Sequence, residues 1–92
     1  MKLKIKFLKP FSKIIGKNEL KLDFNGITFE DLLNVLVDKY PKLKNEFYTK
    51  TGELSDYIGI FVNDKPISAL NGVKTEFKNG DELIFFFPIS GG

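Results

Sequence analysis

Glu82-Leu83-Ile84-Phe85-Phe86-Phe87 follows the turn residues Lys78-Asn79-Gly80-Asp81 and is stopped by Pro88. The run is apolar on both of its alternating faces, which suits a strand in the middle of a sheet with neighbours on either side. At the other end of the chain, Lys2-Leu3-Lys4-Ile5-Lys6-Phe7 alternates with period two. Leu3, Ile5 and Phe7 share one face and the lysines the other, the pattern of a half-buried strand. Glu19 to Phe24 repeats it with Leu20, Leu22 and Phe24 inward, and Glu19 and Asp23 are placed to meet the first strand's lysines across an antiparallel hairpin. Lys9 to Asn18 is too long for a tight turn; Pro10, Phe11, Ile14, Ile15 and Gly16 predict a helical turn closed by glycine.

Thr28-Phe29-Glu30-Asp31 has the features of a helix start, with Thr28 as N-cap, acids in the first turn and Ile27 positioned as a hydrophobic staple on Leu32. Phe29, Leu32, Leu33, Leu36 and Tyr40 then form an apolar stripe that Pro41 ends. Lys42 to Tyr48 predicts a short second turn bringing Leu43 and Phe47 to the same core, and Thr51-Gly52 a loop. Tyr57 to Val62 reads as a strand with Ile58, Ile60 and Val62 on one side and Tyr57, Gly59 and Phe61 on the other. Asn63-Asp64 supplies a turn, Pro66 suits an edge, and Ser68 to Gly72 is an ordered connection.

The order hairpin, helix, strand, strand, with the first and last strands central, predicts an α+β β-grasp (ubiquitin-like) fold: a mixed four- to five-stranded sheet with one main helix packed on one face. A ferredoxin-like split βαβ needs a second full helix near the C-terminus, and Ser68 to Phe77, with Gly72, Val73 and Thr75, is poorly suited to one. At 92 residues the chain encloses one core, so residues 1–92 are expected to form a single domain with a flexible diglycine tail over 89–92.

Composition narrows the chemistry. With no Cys and no His, disulfides, thiolate nucleophiles and Cys-ligated metals are excluded, and general-base or metal chemistry would rest on carboxylates and lysines, so a self-contained enzyme is not expected. The net charge is +2 and every basic residue is lysine, which argues against nucleic-acid readout by guanidinium. No apolar run is long enough to span a membrane, and the N-terminus alternates Lys with apolar residues, so a cytoplasmic location is expected. Asp81 and Glu82 are adjacent on a turn and do not converge on a metal.

The informative segment is the end, where a central strand runs into Pro88-Ile89-Ser90-Gly91-Gly92. Small residues are common at chain ends. The functional alternative makes the α-carboxylate of Gly92 the reactive group, an oxyanion at neutral pH able to attack the α-phosphorus of ATP, with Gly91 letting the tail thread a narrow channel. Ending at Gly92, the chain is expected to need no processing.

Asp81-Glu82-Leu83, the run through Phe87, and Pro88-Ile89-Ser90-Gly91-Gly92 resemble the C-terminus of the MoaD family, the small subunits of molybdopterin synthase. The glycine-closed connection, Thr28 to Tyr40, Pro41, Gly52-Glu53-Leu54, Val62-Asn63 and Asn79-Gly80-Asp81-Glu82 also look like family positions in family order. Two departures are Phe87, where the family often has the first of two prolines, and the absence of arginine. The resemblance implies a non-catalytic sulfur carrier with no bound cofactor. A ubiquitin-activating-type (MoeB-like) enzyme would use ATP to adenylate Gly92, a sulfur donor would convert the adenylate to a thiocarboxylate, and the large synthase subunit (MoaE-like) would take the sulfur for the molybdopterin or tungstopterin dithiolene. The partner-binding positions it implies are Leu8, Phe61, Phe86, Pro88 and Ile89, an apolar patch near the tail if Phe86 faces outward. The same tail serves carriers for thiamine or tRNA thiolation, although ThiS-type carriers look shorter and lack the segment from Pro41 to Ser55. It equally serves a ubiquitin-like modifier joined through Gly92 to a protein lysine. A plain interaction domain would make no use of the diglycine.

Overall fold

The computed structural model describes residues 1–55 and 57–87. Strand β1 (Lys2–Phe7) leads through helix α1 (Phe11–Ile15) to strand β2 (Glu19–Asp23). Helix α2 (Phe29–Lys39) follows, then a 3₁₀ turn (Pro41–Leu43) and helix α3 (Lys44–Phe47). Strands β3 (Gly59–Val62), β4 (Lys65–Pro66) and β5 (Glu82–Phe86) complete a five-stranded sheet in the order β2-β1-β5-β3-β4. β5 pairs in parallel with β1 and antiparallel with β3, so the first and last strands are central and the sheet is mixed, the β-grasp arrangement. Two single-turn 3₁₀ segments, Ile67–Ala69 and Gly72–Lys74, occupy the connection between β4 and β5.

Alternation sets the layers. Leu3, Ile5 and Phe7 of β1, Ile60 and Val62 of β3, and Leu83 and Phe85 of β5 point to one side, where Phe29, Leu32, Leu33 and Leu36 of α2 join them in one buried core. Phe85 is its centre, fully buried, with ring centroids of Phe7, Phe47, Phe11 and Phe29 at 5.4, 5.5, 6.1 and 6.1 Å. Leu43 and Phe47 close the core from the short second helical segment. Gly16 ends α1 at φ 78°, a conformation a β-carbon disfavours, and its amide bonds the Ser12 carbonyl.

The start of α2 differs from expectation in one respect. The capping box forms: the Asp31 amide donates to Thr28 Oγ1 at 3.3 Å, and the Thr28 amide donates to Asp31 Oδ2 at 3.0 Å. The staple does not, for Ile27 is 59% exposed while Leu32 is fully buried. The chain is held there by backbone bonds, the Phe77 amide to the Ile27 carbonyl at 3.1 Å and the Phe29 amide to the Thr75 carbonyl at 2.8 Å. With the entry angle set this way, the Ile27 side chain is left to solvent. Strand β3 also begins later than its apolar alternation predicts: Tyr57 is 79% exposed, and pairing with β5 starts at Gly59 opposite Phe86.

Candidate functional site

The sheet face away from α2 carries the outward residues of each strand. Pairing aligns Lys2 with Asp23, Lys4 with Lys21 and Lys6 with Glu19 between β1 and β2. It aligns Lys4 with Glu82 and Lys6 with Ile84 between β1 and β5. Phe61 faces Ile84 and Gly59 faces Phe86 between β5 and β3, and Pro66 of β4 lies opposite Phe61. One end of the face is therefore charged. Lys2 reaches Asp23 at 3.0 Å and Lys4 reaches Glu19 at 3.9 Å, exposed pairs that contribute little to stability but balance the lysine row.

The other end is apolar. Leu8 is 53% exposed, and its amide donates to the Phe85 carbonyl at 2.9 Å, which seats it beside the end of β5. Phe86 and Phe61 are half-buried, with ring centroids 5.4 Å apart and planes at 59°. The outward parity of Phe86 is settled by its neighbours: Leu83 and Phe85 are fully buried, so Ile84 and Phe86 take the opposite face. A shallow hollow of about 200 Å³ lined by Lys6, Phe61, Asn63, Asp64, Glu82 and Ile84 adjoins this surface. Leu8, Phe61 and Phe86 thus come together at the end of the sheet from which the chain leaves β5, whereas Pro88, Ile89, Gly91 and Gly92 lie outside the described residues.

Two residues of this surface escaped the sequence reading. Ile84 shares the parity of Phe86, a signal present in the alternation of β5 once Leu83 or Phe85 is known to be core. Alternation put Gly59 on the Phe61 side of its strand, but its role depends on which residue faces it across the sheet, which only the register shows.

The turn before β5 is built by side chains. Asp81 Oδ1 accepts from Asn63 Nδ2 at 2.8 Å and Oδ2 from the Lys78 amide at 2.8 Å, while Asn63 Oδ1 accepts from the Glu82 amide at 3.0 Å. Gly80, at φ 90°, donates its amide to the Lys2 carbonyl at 2.7 Å. Asp81 is therefore a turn residue, and among the described residues no group of three or more carboxylates could hold a metal. Asn63 and Asp64, at φ 48° and 73°, form the two-residue turn joining β3 to β4. No described helix is long and apolar enough to cross a membrane.

A β-grasp sheet with an open apolar end beside the exit of its central strand defines a small ubiquitin-like protein. The ThiS family model matches residues 5–92, and the chain belongs to that family, the ubiquitin-like sulfur carriers of ThiS and MoaD type. It is 33% identical over 88 residues to small archaeal modifier protein 1 of Haloferax volcanii, covering 95% of this chain and 97% of that one. It is 31% identical over 78 residues, 85% of this chain and 89% of the relative, to a protein of Archaeoglobus fulgidus named "Putative sulfur carrier protein". The solution structure of small archaeal modifier protein 1 from Methanosarcina acetivorans superposes with a TM-score of 0.84 at 34% identity, covering 99% of this chain and 96% of that one.

Proposed function

We propose that this protein is a non-catalytic sulfur carrier that works through its terminal glycine and serves as the small subunit of a molybdopterin synthase. The observation that carries the reading is the outward parity of Phe86, which gathers Leu8, Phe61 and Phe86 into an apolar surface where the chain leaves the sheet. A partner seated there lies beside the point where the chain leaves β5.

The chemistry follows from the carboxylate. Gly92 attacks the α-phosphorus of ATP on a ubiquitin-activating-type, MoeB-like enzyme and pyrophosphate leaves. A sulfide-level donor then displaces AMP from the acyl carbon, leaving a thiocarboxylate. Gly91 lets the tail pass a narrow channel, and Pro88 and Ile89 extend the contact begun by Phe86. The chain offers no thiol and no imidazole, so sulfur rides on the terminus. The large, MoaE-like subunit takes it for the pterin dithiolene. The chain itself binds no cofactor, ATP belonging to the activating enzyme, and the pathway is placed in the cytoplasm.

A second reading, a modifier joined through Gly92 to a protein lysine, is favoured by the relative of 33% identity that is named a modifier. Incubation of the thiocarboxylated chain with the large synthase subunit and precursor pterin separates the two. Sulfur transfer to the pterin, with release of the unmodified carboxylate, supports the carrier; an isopeptide-linked product together with an unchanged pterin supports the modifier.

A further inference from the structure

Gly59 faces Phe86 across the β3–β5 ladder, and the Phe86 ring lies over its α-carbon. A β-carbon at residue 59 would come within 2.5 Å of Phe86 Cε2 and 2.8 Å of Cε1, closer than atoms pack. The space beside Gly59 is taken by that one ring: the three nearest atoms all belong to Phe86. From there the ring reaches Phe61, with 5.4 Å between centroids. Glycine weakens strands, and an aromatic laid across it from the next strand restores cover to the exposed backbone. At Gly59 the backbone is not in the left-handed region that would demand glycine, so chain conformation does not account for it.

We infer that Gly59 is a positioning residue for the partner surface: the missing side chain allows the Phe86 ring to lie over residue 59 and meet Phe61 at a tilt, and so shapes the apolar end of the open face. The inference rests on the carrier reading above, since it is the docking of a partner that gives the ring's position a consequence. Alanine at residue 59 drives the ring off its seat. The clash falls on the outer end of a rotatable, half-buried side chain, so the fold tolerates the change while the surface does not. A glycine serving strand packing alone would show the opposite pattern.

The test uses the full chain as substrate for the cognate adenylating enzyme with ATP and magnesium, following pyrophosphate release as chain concentration varies. Gly59→Ala is expected to raise KM roughly tenfold, the scale of a displaced interface anchor, with a smaller effect on kcat and no loss of thermal stability. The wild-type Gly59 α-proton resonances should carry a ring-current shift that Phe86→Leu abolishes. Added to Phe86→Leu, Gly59→Ala should raise KM no further. An unchanged KM for Gly59→Ala, an equal rise in both backgrounds, or unfolding of Gly59→Ala overturns the positioning role. Should the wild-type chain release no pyrophosphate, it is the carrier reading that fails, and the ring-current shift still reports whether Phe86 sits on Gly59.

Discussion

The ring of Phe87 meets that of Phe11 edge-on, with centroids 5.1 Å apart and planes at 75°. Phe11 is fully buried in α1, so this contact ties the first residue after β5 to the core. At Phe87 it is therefore a side-chain contact that holds the chain to the core as it leaves β5. Phe87→Ala is expected to lower stability by about 1 kcal/mol through the ring pair, plus the area lost. An unchanged midpoint in denaturant would show that Phe87 anchors nothing.

Phe85→Ala removes the ring around which Phe7, Phe11, Phe29 and Phe47 are packed. The expected loss is about 3 to 5 kcal/mol, a large share of the roughly 5 to 15 kcal/mol that holds a domain folded. Chemical unfolding measures it. A loss below that of Phe86→Ala would reverse the assigned faces of β5.

Phe86→Ala should act the other way. It removes an aromatic from the open surface, so affinity for the large subunit is expected to fall by about 2 kcal/mol or more, while melting shifts less than for Phe85→Ala. Calorimetric binding alongside thermal unfolding checks both. A steep fall in melting with full affinity would make Phe86 a core residue.

The Asp31 carboxyl is held below the ordinary aspartate range by the Ile27 amide first and the Thr28 amide second. A carboxylate depressed in the folded state stabilises fully above its unfolded value, about 3.9, and loses that contribution as pH falls through the folded value. Asp31→Asn should therefore melt below wild type at neutral pH, with the gap narrowing in acid. A gap independent of pH would remove the ionised capping box from the account. Thr28→Ala should cost about 1 kcal/mol at any pH where Asp31 is ionised.

Much of this was legible in the sequence because the signals were local. Period-two alternation placed Leu3, Ile5 and Phe7 inward, Asn63-Asp64 marked its turn, and the both-faced apolarity of β5 set it at the centre of the sheet. The failures needed partners distant in the chain. Ile27 turned to solvent because its carbonyl is engaged by the Phe77 amide, and the seat of Phe86 on Gly59 exists only once β3 and β5 are in register. The open patch was half legible: the residue types of Leu8, Phe61 and Phe86 suggested it, but only the burial of Phe85 fixed which aromatic faces out.

The central claim concerns the carboxylate of Gly92. The most direct measurement is the intact mass of the chain after incubation with ATP, magnesium, the adenylating enzyme and a sulfur donor. The account predicts the mass gain of one oxygen replaced by sulfur, dependent on ATP, and none in a chain lacking Gly92 whose melting is unchanged. Sulfur incorporation into the chain lacking Gly92, or none into the wild type under conditions where the enzyme is active, would contradict it.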